Sequence, residues 1–455
     1  MNDKKHTSAT LGNQNIKDSQ RMVGVVEPYE LPEEVNIFEL GNVLSYEQPT
    51  NYIVESTDYD DSYNTPVLTA GKSFIIGYTN ETAGIYTNLP VIIFDDFTTS
   101  SQYVDFPFKV KSSAMKILSV NHNIADLKYI YFFMQVVQFE AKNHKRYWIS
   151  EYSKIKINLP PLTEQQRIVN RIESMFAKLD EAKEKAQNVV DSFETRKAAI
   201  LHQAFTGKLT AKWRAENGVN ANTVLEEIFQ YSQKLSKKDF ENICLYQNKA
   251  KEVELADKAI WKKCQIGAIG IVTNGSTPSR KIKEYWNGNI PWVSSGEVSN
   301  NIIKFTNELI SQEGFDNSSV KLLPIGTVLI AMIGEGKTRG QSSILSIEAT
   351  TNQNIAAIII EHGFIEPNFL WYWLQSQYKK NRSAGAGSGP QALNCQRVRE
   401  LDFIVPTLPE QQEIVRILDS VLEKERVAKE AAENVLEQID LLKKSILARA
   451  FRGEL

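Results

Sequence analysis

The chain has 455 residues, with a hydrophobic fraction of 42%, a charged fraction of 24% and a formal net charge of −3. These values are ordinary for globular protein of about two or three domains, and they exclude a chain that is basic as a whole. The segment 1–30 lacks an apolar signal core and no apolar run approaches the ~20 residues that cross a bilayer, so we expect a cytoplasmic protein without a membrane span.

The first part of the chain is predicted to be a flexible arm at 1–30, followed by a mixed domain at 31–158, called head 1 below. Short apolar runs separated by turn residues predict strands in head 1. A longer apolar run at 129–139 predicts a buried helix. The predicted strands lie at 74–78, 90–94 and 106–110.

The region 159–209 is predicted to hold one long helix over 163–205. Thr163 and Gln166 fit a capping box, and Gly207 suits a helix terminus. Apolar residues recur at alternating steps of four and three, which is typical of a coiled-coil seam interrupted at Arg196. The seam comprises Ile168, Ile172, Met175, Leu179, Ala182, Ala186, Val189, Phe193 and Ile200.

The segment 210–258 is charged and helix-prone, and it is predicted to be a linker with a loosely packed helix. Residues 259–404 form a second mixed domain, called head 2, in which a helix is predicted at 369–378. Segments at 39–43 and 265–269 predict matching first strands for the two heads. The other strands of head 2 are predicted at 290–293, 327–333 and 354–360.

The last part of the chain, 405–455, repeats the region of the long helix. LPPLTEQQRIV at 159–169 returns as VPTLPEQQEIV at 405–415, and AFTGKL at 204–209 returns as AFRGEL at 450–455. No residue is gained or lost in between, and roughly two positions in five are identical. A second long helix with the same seam is therefore predicted, interrupted at Glu425. Its seam comprises Ile414, Leu418, Val421, Ala428, Ala432, Val435, Ile439, Leu442 and Ile446.

Two seams this narrow each need one partner helix, and the simplest partner is the other copy in the same chain. We therefore predict an α+β protein in which two mixed α/β heads are separated by two long antiparallel coiled-coil helices with pseudo-twofold symmetry. A helix of ~43 residues is about 65 Å long.

The loop AMIGEGKT at 331–338 is similar to a phosphate-binding loop, which would use Lys337. However, Ala331 replaces the first glycine, and the following RGQSS is a poor start for the helix that such a loop requires. A basic, glycine-containing loop between strands suits a phosphodiester backbone or a base edge better. Nucleotide binding remains the alternative.

Basic residues interleaved with aromatic ones occur in both heads and indicate nucleic-acid contact, although each cluster alone also fits a solvated face. The small-residue stretch 383–391 fits either a solvated loop or close backbone approach to a ligand, with Gln391 and Asn394 as candidates to pair with adenine. The DNA-contact candidates of head 1 are Lys72, Lys109, Lys111, Ser112, Lys145, Arg146 and Tyr147. Those of head 2 are Arg280, Lys281, Ser294, Ser295, Lys337, Arg339, Gln341, Ser388, Gln391 and Asn394.

The sequences at both ends of the long helices are repeated over more residues than helix capping requires. This repetition predicts a partner protein that binds at two equivalent places. The candidate docking residues are Glu164, Gln165, Gln166, Phe205, Glu410, Gln411, Gln412 and Phe451.

Sites for chemistry in this chain are not predicted. The cysteines Cys244, Cys264 and Cys395 and the five histidines show neither a metal-ligand spacing nor an even disulfide framework, which favours a reducing compartment and no metal site. Neither a nucleophile elbow nor a dinucleotide fingerprint is present, so the chain is expected to be non-catalytic.

The repeated motifs resemble the signature of type I restriction–modification specificity (S) subunits. It stands here as Pro160–Val169 with Ile200–Leu209, and again as Pro406–Val415 with Ile446–Leu455. Further stretches are similar to that family in less specific ways. These are YELPE at 29–33, TAKWRAEN at 210–217, and the head 2 segments 290–293, 328–332 and 349–353.

The resemblance implies that the heads are target recognition domains, each reading one half of an asymmetric, bipartite site in double-stranded DNA. It implies two methyltransferase (M) subunits that use S-adenosylmethionine, and restriction (R) subunits that use ATP and Mg, with no cofactor in this chain. Two heads about one DNA turn apart, ~34–36 Å, would suit such a site. The alternatives are a stand-alone two-headed DNA-binding regulator and a coiled-coil scaffold that binds protein.

Overall fold

The computed structural model describes residues 36–69, 73–137, 139, 145–218, 221–334, 336–383 and 392–455. The chain divides into two compact units, one within 1–188 and 432–455 and the other within 189–431. Among the described residues, no helix is both long and apolar enough to cross a membrane.

The first unit contains head 1 and parts of both long helices. Its elements in chain order are β1 (Asn36–Glu39), α1 (Leu40–Val43), β2 (Leu44–Glu47), β3 (Thr65–Leu68), β4 (Ile75–Thr79), β5 (Val91–Asp95), β6 (Ser101–Val104), β7 (Lys109–Val110), β8 (Met115–Val120), α2 (Leu127–Val136), β9 (Lys156–Leu159) and the start of α3 (Leu162–Phe205).

Head 1 is built on a four-stranded sheet in the order β2-β8-β5-β6, beside a three-stranded sheet β4-β3-β7 and the antiparallel pair β1-β9. Helix α2 covers the larger sheet and begins at Asp126, whose side chain accepts a hydrogen bond from the Tyr129 N–H at 3.0 Å. The core joins the apolar faces of α2 and the larger sheet to the first turns of α3 and the last turn of the second long helix.

The second unit contains the rest of α3 and all elements up to the second long helix. These elements are α4 (Ala211–Asn217), α5 (Val224–Ser232), α6 (Lys237–Gln247), β10 (Lys251–Glu254), β11 (Ile260–Gln265), β12 (Ile271–Asn274), β13 (Trp286–Val293), β14 (Ile302–Ile303), β15 (Glu308–Ile310), α7 (Gln312–Asp316), β16 (Val328–Ala331), β17 (Ser342–Leu345), β18 (Thr350–Thr351), β19 (Ile355–Ile359), α8 (Pro367–Ser376), α9 (Tyr378–Ser383), α10 (Cys395–Arg399), β20 (Asp402–Val405) and the start of α11 (Leu408–Ala450).

Head 2 is built on a five-stranded sheet in the order β12-β19-β16-β17-β14, with three-stranded sheets β15-β13-β18 and β10-β11-β20 beside it. The aromatic helix α8 is buried along almost its whole length. It packs against β16 and β17 and against the first turns of α11 and the last turn of α3.

Two sequence predictions about the heads are wrong. The matching first strands predicted at 39–43 and 265–269 are largely short helical turns, α1 and a 3₁₀ turn at Ile266–Ala268, and the strands β1 and β11 precede them. The linker predicted at 210–258 contains three helices instead. Its apolar residues are sparse but lie on faces that the core covers: Val224, Leu225, Ile228, Ile243 and Tyr246.

The two long helices run antiparallel within each unit. In the first unit, Asp180 pairs with Lys443 at 2.5 Å, and the Arg167 guanidinium donates to the Leu455 carbonyl at 3.1 Å. In the second unit, Arg196 pairs with Glu425 at 2.7 Å, and Lys429 lies over the Phe193 ring at 5.1 Å. In each unit the residue numbers on α11 fall as those on α3 rise, which defines an antiparallel pair.

The predicted seam is correct for α3 and partly wrong for α11. Ala428, Val435 and Leu442 are exposed, although the sequence predicts them in the seam. The residues one position later, Lys429 and Lys443, are half-buried with their ammonium groups over the rings of Phe193 and Phe176. Long lysine side chains can cover apolar surface while their charged ends stay near water, and this rotates the buried face of α11 by about one residue.

Candidate nucleic-acid interface and helix anchors

The candidate Lys109 of head 1 is not available for DNA contact. Lys109 is only 3% exposed, pairs with Glu81 at 2.6 Å and donates to the Ala83 carbonyl at 2.8 Å. Burial raises the pKa of Glu81, but Lys109 and the backbone N–H groups of Ser56 and Glu55 outweigh it and lower that pKa overall. A charge buried with its counter-ion belongs to the fold and is not free to meet a phosphate.

The rest of the head 1 set is divided between surface and core. Lys111, Ser112 and Arg146 are exposed, whereas Tyr147 is buried. Lys145 is exposed but pairs with Glu151, which raises the pKa of its ammonium group. Lys72 lies outside the described residues. The structure therefore leaves Lys111, Ser112 and Arg146 as the accessible candidates of head 1.

In head 2, Arg280 is accessible and its position is strongly constrained. Both of its terminal nitrogens bond the Glu308 carboxylate, and its guanidinium lies 3.7 Å from the centre of the Trp286 ring. The bond to Glu308 raises the pKa of Arg280 and lowers that of Glu308. The neighbouring Lys281 is exposed. The bonds to Glu308 and the contact with Trp286 therefore fix the orientation of the Arg280 side chain in the absence of a ligand.

The serine pair after β13 forms a capping box. The Ser294 N–H donates to the Glu297 carboxylate at 2.8 Å, and the Ser294 hydroxyl contacts the same oxygen at 2.9 Å. Ser295 lies in the short turn that this box opens and is half-buried. The polar groups of Ser294 fix the loop that follows, and the DNA contact of these two hydroxyls stays a prediction.

The loop at 331–338 does not have the architecture of a phosphate-binding loop, because it leads into strand β17 and not into a helix. Lys337 is exposed, Gln341 is half-buried and Arg339 is buried. Arg382 donates to the Gly334 and Arg339 carbonyls, at 3.5 and 3.4 Å, which joins the loop to α9. Lys337 therefore lies exposed on a loop that Arg382 attaches to α9, whereas Arg339 is buried.

The remaining candidates of head 2 lie at the start of α10 or outside the described residues. Asn394 caps α10, because its side-chain oxygen accepts from the Arg397 N–H at 2.8 Å. That oxygen already holds the start of α10, and the pairing of Asn394 with adenine stays a prediction. Ser388 and Gln391 lie outside the described residues.

The doubled glutamines of the two helix starts have equivalent structural roles. Gln165 accepts from the Asp126 N–H at 2.8 Å and donates to the Ile124 and Pro160 carbonyls. Gln411 accepts from the Glu366 N–H at 2.9 Å and donates to the Phe364 and Pro406 carbonyls. In its own unit, each glutamine holds the loop that leads into the aromatic helix of the head. Both side chains are fully buried, so the docking role predicted for them is wrong.

The doubled phenylalanines at the helix ends are also anchors. Phe205 packs edge-on against Phe369 and Trp373 of α8, with ring centres 5.4 and 5.2 Å apart. Phe451 packs in the same way against Tyr129 and Phe133 of α2, at 5.1 and 5.5 Å. These rings are buried against the heads, which corrects their predicted role as a docking surface for another protein.

A further pair of anchors was missed by the sequence reasoning. Glu173 bonds Lys128 of α2 at 2.5 Å, and Asp419 accepts from the Tyr372 hydroxyl of α8 at 2.5 Å. The bond to Glu173 raises the pKa of Lys128, while burial and the bond to Asp419 raise the pKa of Tyr372. Glu173 and Asp419 occupy equivalent positions of the repeat, and an acidic residue at the same place in both copies was the signal that could have identified them.

The two glutamates of the repeat differ. Glu164 is half-buried and pairs with Arg167 on its own helix, which lowers the pKa of Glu164. Glu410 is buried and bonds Thr210, Arg214 and the Trp261 indole N–H. Glu410 therefore joins the segment after α3 to the start of α11, and it is not a docking residue. Of the predicted docking residues, Gln166 and Gln412 remain exposed.

The described residues contain no group of three or more histidine, cysteine, aspartate or glutamate side chains that could hold a metal ion.

Comparison with known proteins identifies the family. The model of the type I restriction modification DNA specificity domain matches residues 32–191 and 259–438. The chain is 34% identical over 395 residues to the EcoR124I/EcoR124II specificity subunit of Escherichia coli, covering 85% of this chain and 86% of that protein. It is 31% identical over 185 residues to the MjaIX specificity subunit of Methanocaldococcus jannaschii, covering 38% and 41%.

Solved structures show the same fold. The HsdS subunit from Thermoanaerobacter tengcongensis superposes with a TM-score of 0.55 at 16% identity, covering 94% of this chain and 99% of that one. A chain from a type I R-M system superposes with a TM-score of 0.62 at 16% identity, covering 94% and 100%. The protein therefore belongs to the type I restriction–modification specificity subunits, the non-catalytic DNA-recognition members of these systems.

Proposed function

We propose that this chain reads an asymmetric, bipartite site in double-stranded DNA through its two unlike heads and holds two methyltransferase subunits on its long helices, with restriction subunits joining the complex. S-adenosylmethionine is assigned to the methyltransferase, ATP and Mg to the restriction subunit, and the assembly to the cytoplasm. The family assignment gives no support to a stand-alone regulator.

The DNA-reading part of the proposal is supported by the anchors. Each head is gripped by a buried glutamine, an acidic residue and a phenylalanine at equivalent positions of the repeat. The strands and loops of the two heads have different orders and lengths. A protein that recognises two different half-sites needs two heads with different surfaces, and here both heads are attached to the helices through equivalent contacts.

The observation that carries the docking part is an apolar patch on α11, comprising Val435, Leu441 and Leu442. These side chains are 40%, 66% and 47% exposed. Val435 and Leu442 are two turns apart and therefore lie on the same helix face. Exposed leucine and valine side chains grouped in this way are typical of a protein–protein contact. We assign the patch, in place of the buried repeat residues, to contact with a methyltransferase subunit.

Copurification with the methyltransferase tests this assignment. The double variant Val435→Lys and Leu442→Lys should lose the methyltransferase subunit that contacts this patch, because two charges would have to be buried in an apolar contact. Its unfolding free energy should change by less than about 1 kcal/mol, since both side chains already meet water. The matched control is Asp440→Lys, an exposed position on the same helix that is not three or four residues away from any side chain of the patch. Retention of both methyltransferase subunits by the double variant would refute the assignment of this patch.

A further inference from the structure

The most exposed large apolar side chain among the described residues is Phe305, at the tip of a loop in head 2. Phe305 is 77% exposed and lies between β14 and β15. An aromatic ring held in water is unfavourable unless a ligand covers it, because its apolar area is large. The Phe305 ring therefore contributes little to the core of head 2.

The loop around Phe305 is fixed on both sides. The Asn307 N–H donates to the Glu297 carboxylate at 2.8 Å, and the Thr306 hydroxyl donates to the Glu308 carbonyl at 2.7 Å. On the other side, the Ser346 N–H donates to the Ile303 carbonyl at 3.0 Å. Glu297 is itself held in the capping box of Ser294. The backbone on both sides of Phe305 is therefore anchored to head 2, which fixes the position from which the ring extends.

The chain on both sides of Phe305 connects to basic and aromatic side chains. Lys304, next to it in the chain, is exposed. Glu308, three residues after Phe305, binds Arg280. The Arg280 guanidinium lies 3.7 Å from the centre of the Trp286 ring. Lys281 and Lys283 are exposed in the segment that follows Arg280. An aromatic ring flanked by cations matches a base stack flanked by phosphates, whereas a contact with another protein would favour an apolar rim without this charge.

Resting on the proposed function, we infer that Phe305 contacts the bases of the half-site read by head 2, stacking on an unstacked base or entering a base step as a wedge. Lys304 would meet the adjacent phosphate. Proteins that distort a duplex commonly use an apolar side chain of this kind to fill the opened step. Methylation of adenine requires such distortion, since the base must leave the stack.

The test uses the full chain assembled with its methyltransferase subunits and a duplex bearing the site that the wild-type complex methylates. Phe305→Ala should weaken binding of that duplex by about 5- to 100-fold, the range of one base–aromatic stack. Phe305→Trp, which keeps an aromatic face, should retain most of the affinity. Leu245→Ala is the matched control, an exposed apolar residue of the same unit on α6, and it should bind like wild type.

A fluorescent base reports the stacking directly. With 2-aminopurine placed in turn at each position of the half-site, wild type should change the emission at one position and Phe305→Ala should abolish that change. Unaltered affinity and emission in Phe305→Ala would overturn the inference. A loss of the methyltransferase from the variant complex would also overturn it and indicate a protein contact. If the wild-type complex bound no bipartite duplex, the proposed function itself would fail, and this outcome is distinct from the others.

Discussion

At the level of single residues, most of the side chains that recur in the repeat bind the long helices to the heads. A glutamine side chain has one strong acceptor and two donor hydrogens, and Gln411 uses both its oxygen and its nitrogen to bond the backbone before α8. Gln165 does the same before α2. A carboxylate could not donate and a hydroxyl could not reach both partners. This explains why the same residue type stands at the same place in both copies.

Replacing Gln411 by alanine should destabilise the second unit by about 2–4 kcal/mol, because a buried N–H and a buried carbonyl lose their partners at once. Chemical denaturation of the full chain measures the change. Gln412→Ala is the control, since this neighbour is exposed and should cost less than about 0.5 kcal/mol. Equal stability of the two variants would show that the hydrogen bonds of Gln411 do not hold the head.

The sequence could identify these positions but not their burial. The repeat singles out Gln165, Phe205 and their equivalents, because both copies carry them. Repetition does not distinguish a surface that meets another protein from one that meets the protein's own heads. For Lys109 the difficulty is similar: a lysine between apolar residues looks like an exposed cation until its partner Glu81, distant in sequence, is placed beside it.

At the level of elements, the coiled coil is held by polar side chains as well as apolar ones. Arg196 and Glu425 interrupt the predicted seam in different copies, and the structure pairs them at 2.7 Å, with side chains 34% and 24% exposed. Arg196 also donates to the Val189 carbonyl at 3.2 Å. A charged pair at one level of a coiled coil penalises other registers, because any shift would bury each charge against an apolar partner.

Single replacement of Arg196 or Glu425 by leucine should destabilise the helix pair, because each leaves a half-buried charge without its partner. Replacing both by leucine should recover most or all of the loss. Unfolding free energies of the four chains form a double-mutant cycle, and we expect a coupling energy of about 1–2 kcal/mol. Additive losses in the double variant would mean that the two side chains act independently.

The elements that the sequence predicted well are those with strong periodicity. The strands near 75–79, 91–95 and 355–359 are short apolar runs that each contain two adjacent isoleucines, and α3 follows its seam over its whole length. The failures have local causes. Helix α1 has four residues, too few for a period to show, and α5 and α6 bury only a few apolar residues each. The shift of the α11 seam depends on lysines, which pattern rules count as polar.

At the level of the whole molecule, the fold separates attachment from recognition. The attachment residues recur in the repeat, so they could be predicted as important from one sequence. The proposed DNA-contact residues do not recur in the repeat, and only their three-dimensional setting shows which are accessible. Arg280 and Lys337 are accessible, whereas Arg339 and Tyr147 are buried.

If the long helices set the distance between the two half-sites, shortening both should shorten the recognised gap. Removing 182–188 from α3 and 434–440 from α11 deletes one heptad from each, and the antiparallel register around Asp180 and Lys443 places these segments opposite one another. The seam phase is preserved, since the repeat is seven residues. Each helix becomes about 10 Å shorter at ~1.5 Å per residue, which corresponds to about three base pairs at ~3.4 Å each.

Sequencing of methylated bases in cells carrying the system measures the gap, which should fall by about three base pairs while both half-site sequences stay the same. A control chain of wild-type length, with alanine at exposed positions of the same two segments, should keep the original gap. An unchanged gap in the shortened chain would mean that the DNA or the partner subunits, and not these helices, determine the spacing.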